Sequence, residues 1–221
     1  MASINDDEPS EDAVLLIAFI THALAGRMPF PSLWNTSRMV LLTEWQPQKN
    51  NWKHRPLAIG TAWYRFIGKA ALAMLGDSVG RKLAPCQLAV GISDGISIGA
   101  KLLQHLRNVP ENAILSLDIS NAFNSLRRNR ILEGLCQYAP SLIPFYKWSY
   151  SNPTQVRSSD GSLCCNAETG TRQGDPLSML FFSVGIHKRI LQLSERLQSL
   201  NPENLIKAYA DDMSLCLPRR Q

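Results

Sequence analysis

The run Tyr209-Ala210-Asp211-Asp212 sets two adjacent carboxylates between an apolar segment and the alternating residues Met213-Ser214-Leu215-Cys216-Leu217. Apolar alternation on both sides of a short acidic tip predicts a β-hairpin whose turn presents Asp211 and Asp212. Adjacent carboxylates repel each other, so holding them together is costly unless a divalent cation shares their charge. Taken alone, the pattern is more often a solvated acidic turn.

A second acidic position, Asp118, lies in another run that alternates with period two. The pattern predicts a strand whose apolar face carries Leu115, Leu117 and Ile119. A charge on an otherwise buried strand is expensive unless it is paired. We therefore expect this strand to pair with the hairpin and to bring Asp118 beside Asp211, where three carboxylates would suit two magnesium ions. The alternative is that Asp118 caps the following helix.

The third feature is the run Gly170-Thr171-Arg172-Gln173-Gly174-Asp175-Pro176-Leu177-Ser178. The glycines permit close backbone approach, Asp175 is a candidate N-cap, and Pro176 suits a first helical position. Arg172 and Gln173 supply a cation and a bidentate amide with which a phosphate or base pair could interact. A glycine turn before a helix is also a common loop. The predicted helix has one buried stripe, formed by Ile186, Ile190, Leu193, Leu197 and Leu200.

In order and approximate spacing, these three segments resemble the palm motifs of reverse transcriptases, with Ala122-Phe123 following Asp118. The chain is most similar to the non-LTR (LINE-type) retrotransposon branch, with group II intron enzymes and telomerase as more distant relatives. The resemblance covers approximately Pro31 to Leu217. Upstream segments resemble the fingers motifs of that branch: Pro31-Ser32-Leu33-Trp34, Arg38-Met39-Val40-Leu41-Leu42 and Arg55-Pro56-Leu57-Ala58-Ile59.

The resemblance implies roles for individual residues. Asp118 and Asp211 would be the main metal ligands and Asp212 the third acid, together binding two Mg²⁺ ions, for which Mn²⁺ would substitute. Phe123 matches the aromatic residue that fills the space of a ribose 2′-hydroxyl and so favours deoxynucleotides. Without the other motifs, such a ring is more often a core residue.

Three further positions match nucleotide contacts in that family. Gln173 and Gly174 correspond to positions near the incoming nucleotide and the template. Arg55 corresponds to the arginine that meets the triphosphate, since a guanidinium pairs well with phosphate oxygens; by itself it would as often be a surface arginine. The implied activity is that of an RNA-directed DNA polymerase, which transfers dNTPs to a primer 3′-hydroxyl by two-metal chemistry. Its partners would be an RNA template, a DNA or RNA primer and dNTPs.

The sequence departs from the family pattern at two places. Thr43-Glu44 stands where family members often carry a Pro-Lys pair, so phosphate contacts are expected to weaken unless Lys49 or Lys53 substitutes. Nine residues follow Asp212, and from this we expect the thumb to be absent. The alternative function is therefore a truncated, catalytically silent retrotransposon remnant that at most binds RNA. An RNA-dependent RNA polymerase, a further alternative, is disfavoured by Phe123.

Composition limits the remaining classes. The net charge is +5 and the pI about 9.1, which favours a polyanionic partner. Five cysteines without metal-ligand spacing predict a reducing, intracellular location, nuclear if the source is eukaryotic. No apolar run is long enough for a membrane span, and the oligomeric state stays open. Basic residues cluster at Arg127-Arg128-Asn129-Arg130, Lys188-Arg189 and Arg219-Arg220, although such runs are more often solvated helix faces.

We predict an α+β fold with a reverse transcriptase-like palm, an antiparallel sheet packed on helices, and partial fingers. The expected regions are an N-terminal helical lead-in (1–30), a fingers-like region (31–110) and a palm with the catalytic carboxylates (111–221). Residues 46–53 are predicted to form a mobile loop and residues 158–161 a hairpin turn. Helices are expected near 13–24, 63–83, 93–107, 120–138 and 142–149.

Overall fold

The computed structural model of the chain describes residues 9–218. Residues 1–8 of the predicted helical lead-in and the basic pair Arg219-Arg220 lie outside the described residues. Most of the predicted helices are present with bounds within a few residues of those expected. The helices are α1 (Glu11–Leu24), α2 (Pro31–Asn35), α3 (Ala62–Leu83), α4 (Gly95–Arg107), α5 (Ala122–Ser125), α6 (Arg128–Tyr138), α7 (Ile143–Tyr150) and α8 (Ser178–Leu200).

The strands form two sheets. The strands are β1 (Ser37–Gln46), β2 (Asn51–Gly60), β3 (Asn112–Leu117), β4 (Thr154–Arg157), β5 (Leu163–Ala167), β6 (Leu205–Tyr209) and β7 (Asp212–Pro218). The four-stranded sheet has the order β2-β1-β4-β5 and the three-stranded sheet the order β3-β7-β6. Paired strands are antiparallel except β1 and β4, which run parallel.

The β1–β2 hairpin differs from its prediction. Its strands pair without interruption from Ser37↔Gly60 to Gln46↔Asn51, and only a short 3-10 turn at Pro47–Lys49 joins them. The predicted mobile loop over 46–53 is therefore wrong. A cross-strand contact between two exposed indoles, Trp45 and Trp52, with ring centroids 5.2 Å apart, supports pairing at the tip.

Two helical segments replace the single helix predicted over 120–138. The break falls at Leu126 and Arg127, which adopt extended backbone angles between α5 and α6. The Arg128 side chain leaves the helix surface and donates hydrogen bonds to the carbonyls of Tyr150 (2.8 Å) and Ala167 (2.7 Å). These long-range contacts fix the direction in which α6 begins.

Two apolar cores support the sheets. The larger core packs α3, α6, α7 and the first half of α8 around one another. The smaller core packs Phe182, Ile186 and Ile190 of α8 against Ile206 and Leu215 of the three-stranded sheet. Antiparallel strands lying on helices confirm the predicted α+β class.

The β3 strand is more exposed than predicted. It lies at the edge of the three-stranded sheet, and Leu115 is 48% exposed. Because β1 pairs with β4, the four-stranded sheet joins residues of both predicted regions, and the division at residue 110 stays a prediction. Among residues 9–218, no helix combines the length and apolar character that crossing a membrane requires.

Candidate active site

The three predicted acids lie at one end of the three-stranded sheet. The pair Tyr209↔Asp212 closes the β6–β7 hairpin and leaves Ala210 and Asp211 in its turn. The last β3–β7 pair is Leu117↔Met213, so Asp118 leaves the sheet next to this turn. The predicted pairing of the Asp118 strand with the hairpin is therefore present.

Electrostatics link the three acids to one another and to a cation. Partial burial is the main cause that raises the pKa of Asp211 above its ordinary value, and the charges of Asp212 and Asp118 raise it further. The positive charge of Arg55, on β2, acts in the opposite direction on the same pKa. The hairpin turn, the end of β3 and the four-stranded sheet thus contribute charges to one site.

The donor set suits a hard divalent cation in its chemistry. Asp118, Asp211 and Asp212 offer carboxylate oxygens, the ligands that Mg²⁺ prefers. Within residues 9–218, no three acidic, histidine or cysteine side chains converge closely enough to hold a metal ion. Charge interaction, rather than a preformed coordination shell, joins these three residues.

The glycine-rich loop connects this site to the four-stranded sheet. The carbonyl of Gln173 accepts a hydrogen bond from the Ala58 amide of β2 at 2.7 Å, and the Thr171 amide donates to the Phe123 carbonyl at 2.7 Å. Gln173 also lines a cleft of about 240 Å³ between β2 and the β4–β5 hairpin. The loop therefore holds Gln173 between the segments that carry Arg55 and Phe123.

Both loop glycines have positive φ values, 62° at Gly170 and 103° at Gly174. A Cβ atom at Gly170 would overlap the main chain of Phe123 and Asn124, and one at Gly174 would lie 2.9 Å from Ile59 Cδ1. Close packing of the loop against α5 and β2 therefore requires glycine at both positions.

The ring of Phe123 is half-buried and stacks on Phe182 of α8, with centroids 4.6 Å apart. The contact fixes the ring beside the strand end that carries Asp118. Phe123 is thus part of the smaller core and also a neighbour of the acidic site.

Arg55 forms an ion pair with Glu44 of the adjacent strand, at 3.6 Å. Both side chains are more than half exposed, so the pair adds little to stability. The carboxylate of Glu44 therefore lies close enough to compete with another anion for the charge of Arg55.

The chain is similar to known proteins in both sequence and fold. The chain is 27% identical over 179 residues to the "Transposon TX1 uncharacterized 149 kDa protein" of Xenopus laevis, covering 75% of this chain and 14% of that protein. It is also similar to apo telomerase from Candida tropicalis truncated from the C-terminal domain, with a TM-score of 0.58 and 11% identity over 84% of this chain and 44% of the telomerase chain. The chain has a reverse transcriptase-like fold.

The transposon protein is a homologue, and this chain spans about a seventh of its length. Telomerase from Candida albicans, in complex with a fragment of telomeric RNA, gives a TM-score of 0.52 at 11% identity, over 83% of this chain and 38% of that one. No family model matches the chain. The predicted resemblance to a transposon-encoded protein in sequence, and to telomerase in fold, is confirmed.

One interpretation of the glycine-rich loop is wrong. Arg172 does not face a phosphate or base pair: it is 3% exposed and pairs with Asp175 at 3.0 Å. Its guanidinium lies over the rings of Tyr64 and Tyr150, 4.7 and 4.4 Å from their centroids. Asp175 is not the N-cap of α8, which begins at Ser178. In the reverse transcriptase-like fold, this pair anchors the loop within the larger core.

A residue that the sequence patterns did not identify supports the acidic turn. Gln87 is fully buried; its Oε1 accepts hydrogen bonds from the amides of Ala210 (2.8 Å) and Ala89 (3.2 Å), and its Nε2 donates to the Ala210 carbonyl (3.2 Å). Ala210 has φ 55°, a left-handed conformation that costs a non-glycine residue about 1–2 kcal/mol. Gln87 therefore holds the strained residue directly before Asp211. The sequence feature that could have indicated this role is the single amide side chain, Gln87, within the otherwise apolar run Leu83–Val90.

We predict that Gln87→Leu destabilises the chain by about 1–3 kcal/mol, because the buried Ala210 amide loses its acceptor. Amide hydrogen exchange in the peptide covering the hairpin turn should accelerate, and urea unfolding should give the free-energy difference. Gln104→Leu, at an exposed position of α4, is the matched control. Unchanged exchange at the turn would show that Gln87 does not hold it.

Proposed function

We propose that this chain is the fingers-and-palm part of an RNA-directed DNA polymerase of a non-LTR retrotransposon. The observation that carries the proposal is the gathering of Asp118, Asp211 and Asp212 at one end of the sheet, with Arg55 acting on the same site. Homology to a transposon protein and similarity to telomerase support it. The RNA bound in the Candida albicans telomerase structure supports a nucleic-acid partner.

The proposed reaction joins a dNTP to a primer 3′-hydroxyl on an RNA template. Bound Mg²⁺, or Mn²⁺ in its place, would act as a Lewis acid toward the primer hydroxyl and neutralise charge on the departing pyrophosphate. Asp118, Asp211 and Asp212 would hold the ions in their ionised forms. Arg55 would bind the triphosphate through charge-assisted hydrogen bonds.

The remaining residues would select and position the nucleotide. Phe123, fixed by its stack on Phe182, would exclude the ribose 2′-hydroxyl. Gln173, held by its main-chain bond to Ala58, and Gly174 would lie against the incoming nucleotide and template.

The Arg55–Glu44 ion pair favours the alternative function, a catalytically silent remnant that at most binds RNA. Glu44 competes with phosphate for Arg55 and adds a negative charge near a site for a polyanionic substrate. A remnant of this kind would bind RNA without incorporating nucleotides.

The test is incorporation of labelled dTTP on poly(rA)/oligo(dT), with Mg²⁺ and with EDTA. We expect Mg²⁺-dependent addition of at least one nucleotide to the primer. Binding of the primer–template without incorporation, in both Mg²⁺ and Mn²⁺, would contradict the polymerase proposal and support the remnant.

We predict that Phe123→Val raises the use of rNTPs relative to dNTPs by at least about tenfold in kcat/KM, since the smaller side chain leaves room for a 2′-hydroxyl. Single-nucleotide incorporation with dTTP and UTP measures the ratio. Phe66→Val, at an exposed position of α3, is the control. An unchanged ratio would remove Phe123 from sugar discrimination.

A further inference from the structure

A second candidate site lies between α6 and α8. The metal-binding and nucleotide-contacting residues of the proposed reaction do not line it, although Phe182, on which Phe123 stacks, does. A cavity of about 460 Å³ opens between these helices. Its wall is apolar where α5 and the first half of α8 contribute to it. The apolar lining residues include Ile119, Ala122, Leu126, Phe182 and Ile186.

Cationic side chains surround this apolar wall. Arg127 and Arg130 come from the start of α6, and Lys188 and Arg189 from the middle of α8. Among residues 9–218, Glu133 is the one acidic residue that lines the cavity, and it pairs with Arg130 at 2.8 Å. Two of the three basic clusters of the sequence, distant along the chain, thus meet at one cavity.

Two of these cations are available to a ligand. Within residues 9–218, neither Arg127 nor Lys188 has an acidic partner within ion-pair distance, and both are exposed. Their neighbour Arg128 differs, because its guanidinium donates hydrogen bonds to the main-chain carbonyls of Tyr150, at the end of α7, and Ala167, at the end of β5. The basic run at 127–130 is therefore divided between one structural arginine and two that face the cavity.

The combination of an apolar wall and a cationic rim matches one ligand chemistry. A nucleotide carries a flat base with apolar faces next to a phosphodiester charge, and single-stranded chains bind where cations follow the backbone and bases stack on aromatic side chains. Tyr138 and Phe182 are aromatic residues that line the cavity. Unstacked bases are accessible in single-stranded RNA, whereas duplex bases are not.

We propose that this cavity, which we term the α6–α8 cavity, binds single-stranded RNA. One base would enter the apolar part, and Arg127, Arg130, Lys188 and Arg189 would contact the flanking phosphates. The site is distinct from the acidic residues of the hairpin turn, where repulsion would oppose a phosphate without a cation. The proposal extends the proposed function by giving the RNA a second contact, but binding at the cavity does not require polymerase activity.

The test uses the full chain and a short, fluorescently labelled single-stranded RNA without a primer, in EDTA. The variant Arg127→Gln/Lys188→Gln removes two charges at the cavity. The control Lys101→Gln/Arg107→Gln removes two charges from exposed positions of α4, so both variants have the same net charge.

Fluorescence anisotropy over a range of salt concentrations should separate the two variants. For the cavity variant we expect about tenfold weaker binding, and a salt slope smaller by about 1.4, since each phosphate contact in a single strand contributes about 0.7. The control variant should retain the slope of the natural chain. Equal losses in the two variants would mean that net charge alone attracts the RNA, and would overturn the proposal.

Cross-linking locates the bound base. RNA carrying 4-thiouridine should cross-link on irradiation to peptides from α5, α6 and α8. Cross-links confined to the β1–β2 hairpin would overturn the assignment. Poly-glutamate at equal charge concentration should compete poorly; efficient competition would point to an acidic protein segment as the ligand instead.

Failure of this proposal is distinguishable from failure of the polymerase proposal. The binding assay contains neither dNTPs nor a divalent cation, and it can be repeated with Asp211→Asn. RNA binding that depends on the cavity residues, together with absent dNTP incorporation, would support the cavity and contradict the polymerase.

Discussion

Replacing Asp211 by asparagine should reduce dNTP incorporation at least about a thousandfold, as expected when a ligand is lost from the metal ions that would stabilise transition-state charge. The same substitution should raise the thermal stability of the chain at neutral pH. Partial burial, with Asp212 and Asp118 nearby, raises the pKa of Asp211, so its ionised form is less favourable in the folded chain than in the unfolded chain. Asparagine removes that charge and leaves the shape of the side chain almost unchanged.

The pH dependence follows from the direction of this shift. A carboxyl group whose pKa is raised by folding contributes stability below its unfolded pKa and loses that contribution as the pH rises through the folded pKa. The gain in melting temperature from Asp211→Asn should therefore be present at neutral pH and disappear in acid.

Asp160→Asn is the matched control for this prediction. Asp160 lies in the exposed turn between β4 and β5, and hydrogen bonds from Ser158 and Ser162 lower its pKa to about 2. The stability that it contributes is present above its unfolded pKa and is lost as the pH falls, so its substitution should lower the melting temperature slightly at neutral pH. If Asp211→Asn retains incorporation, the catalytic role of Asp211 is contradicted. If Asp211→Asn lowers the melting temperature at neutral pH, the argument from the charge of Asp211 is contradicted.

Replacing Asp175 by asparagine should destabilise the chain by about 3–5 kcal/mol, the usual consequence of leaving a buried charge without its partner. The Oδ2 atom of Asp175 accepts hydrogen bonds from the hydroxyls of Tyr64 (2.7 Å) and Tyr150 (2.6 Å) and pairs with Arg172 (3.0 Å). Asparagine retains the shape and one acceptor oxygen, so the loss should come from the uncompensated guanidinium.

A second variant separates the charge from the packing. Arg172→Met/Asp175→Leu removes both charges, and a well-packed apolar replacement of a buried ion pair often has little net cost. We expect the double variant to be more stable than Asp175→Asn, which would reveal strong coupling between the two positions. Urea unfolding at constant pH gives all the free energies.

The control pair for this experiment has the same sequence spacing. Arg130 and Glu133 are also three residues apart, but their side chains are 41% and 50% exposed, against 2% and 1% for Arg172 and Asp175. Glu133→Gln should therefore cost less than about 1 kcal/mol. Equal losses for Glu133→Gln and Asp175→Asn would show that burial does not determine the effect.

Features with a local periodicity were predictable. The hairpin at Asp211, the Asp118 strand and its pairing partner, the turn near Ser158 and the bounds of α3 all follow from alternation, helical spacing or turn residues. Each of these patterns involves residues that are close in the sequence, since the strand and helix periods are two and 3.6 residues. The resemblance to reverse transcriptases depends on the order of the same short segments.

The burial and the hydrogen-bond partners of the charged and polar side chains were not predictable in the same way. Arg172 and Arg128 look like surface cations in the sequence, yet one is buried between tyrosines and the other is bonded to distant carbonyls. Gln87 supports a turn more than a hundred residues away along the chain. Whether such a side chain meets solvent or a partner depends on segments that approach it only after folding.

The sequence by itself therefore determined the fold class and the residues that gather at the acidic site, because strand alternation, helical spacing and turn residues are short-range properties of the chain. The tertiary structure alone decided how α5 and α6 divide, which arginines are buried, and which basic residues meet at the α6–α8 cavity. Those outcomes depend on desolvation and on hydrogen-bond partners, and both are set by long-range packing.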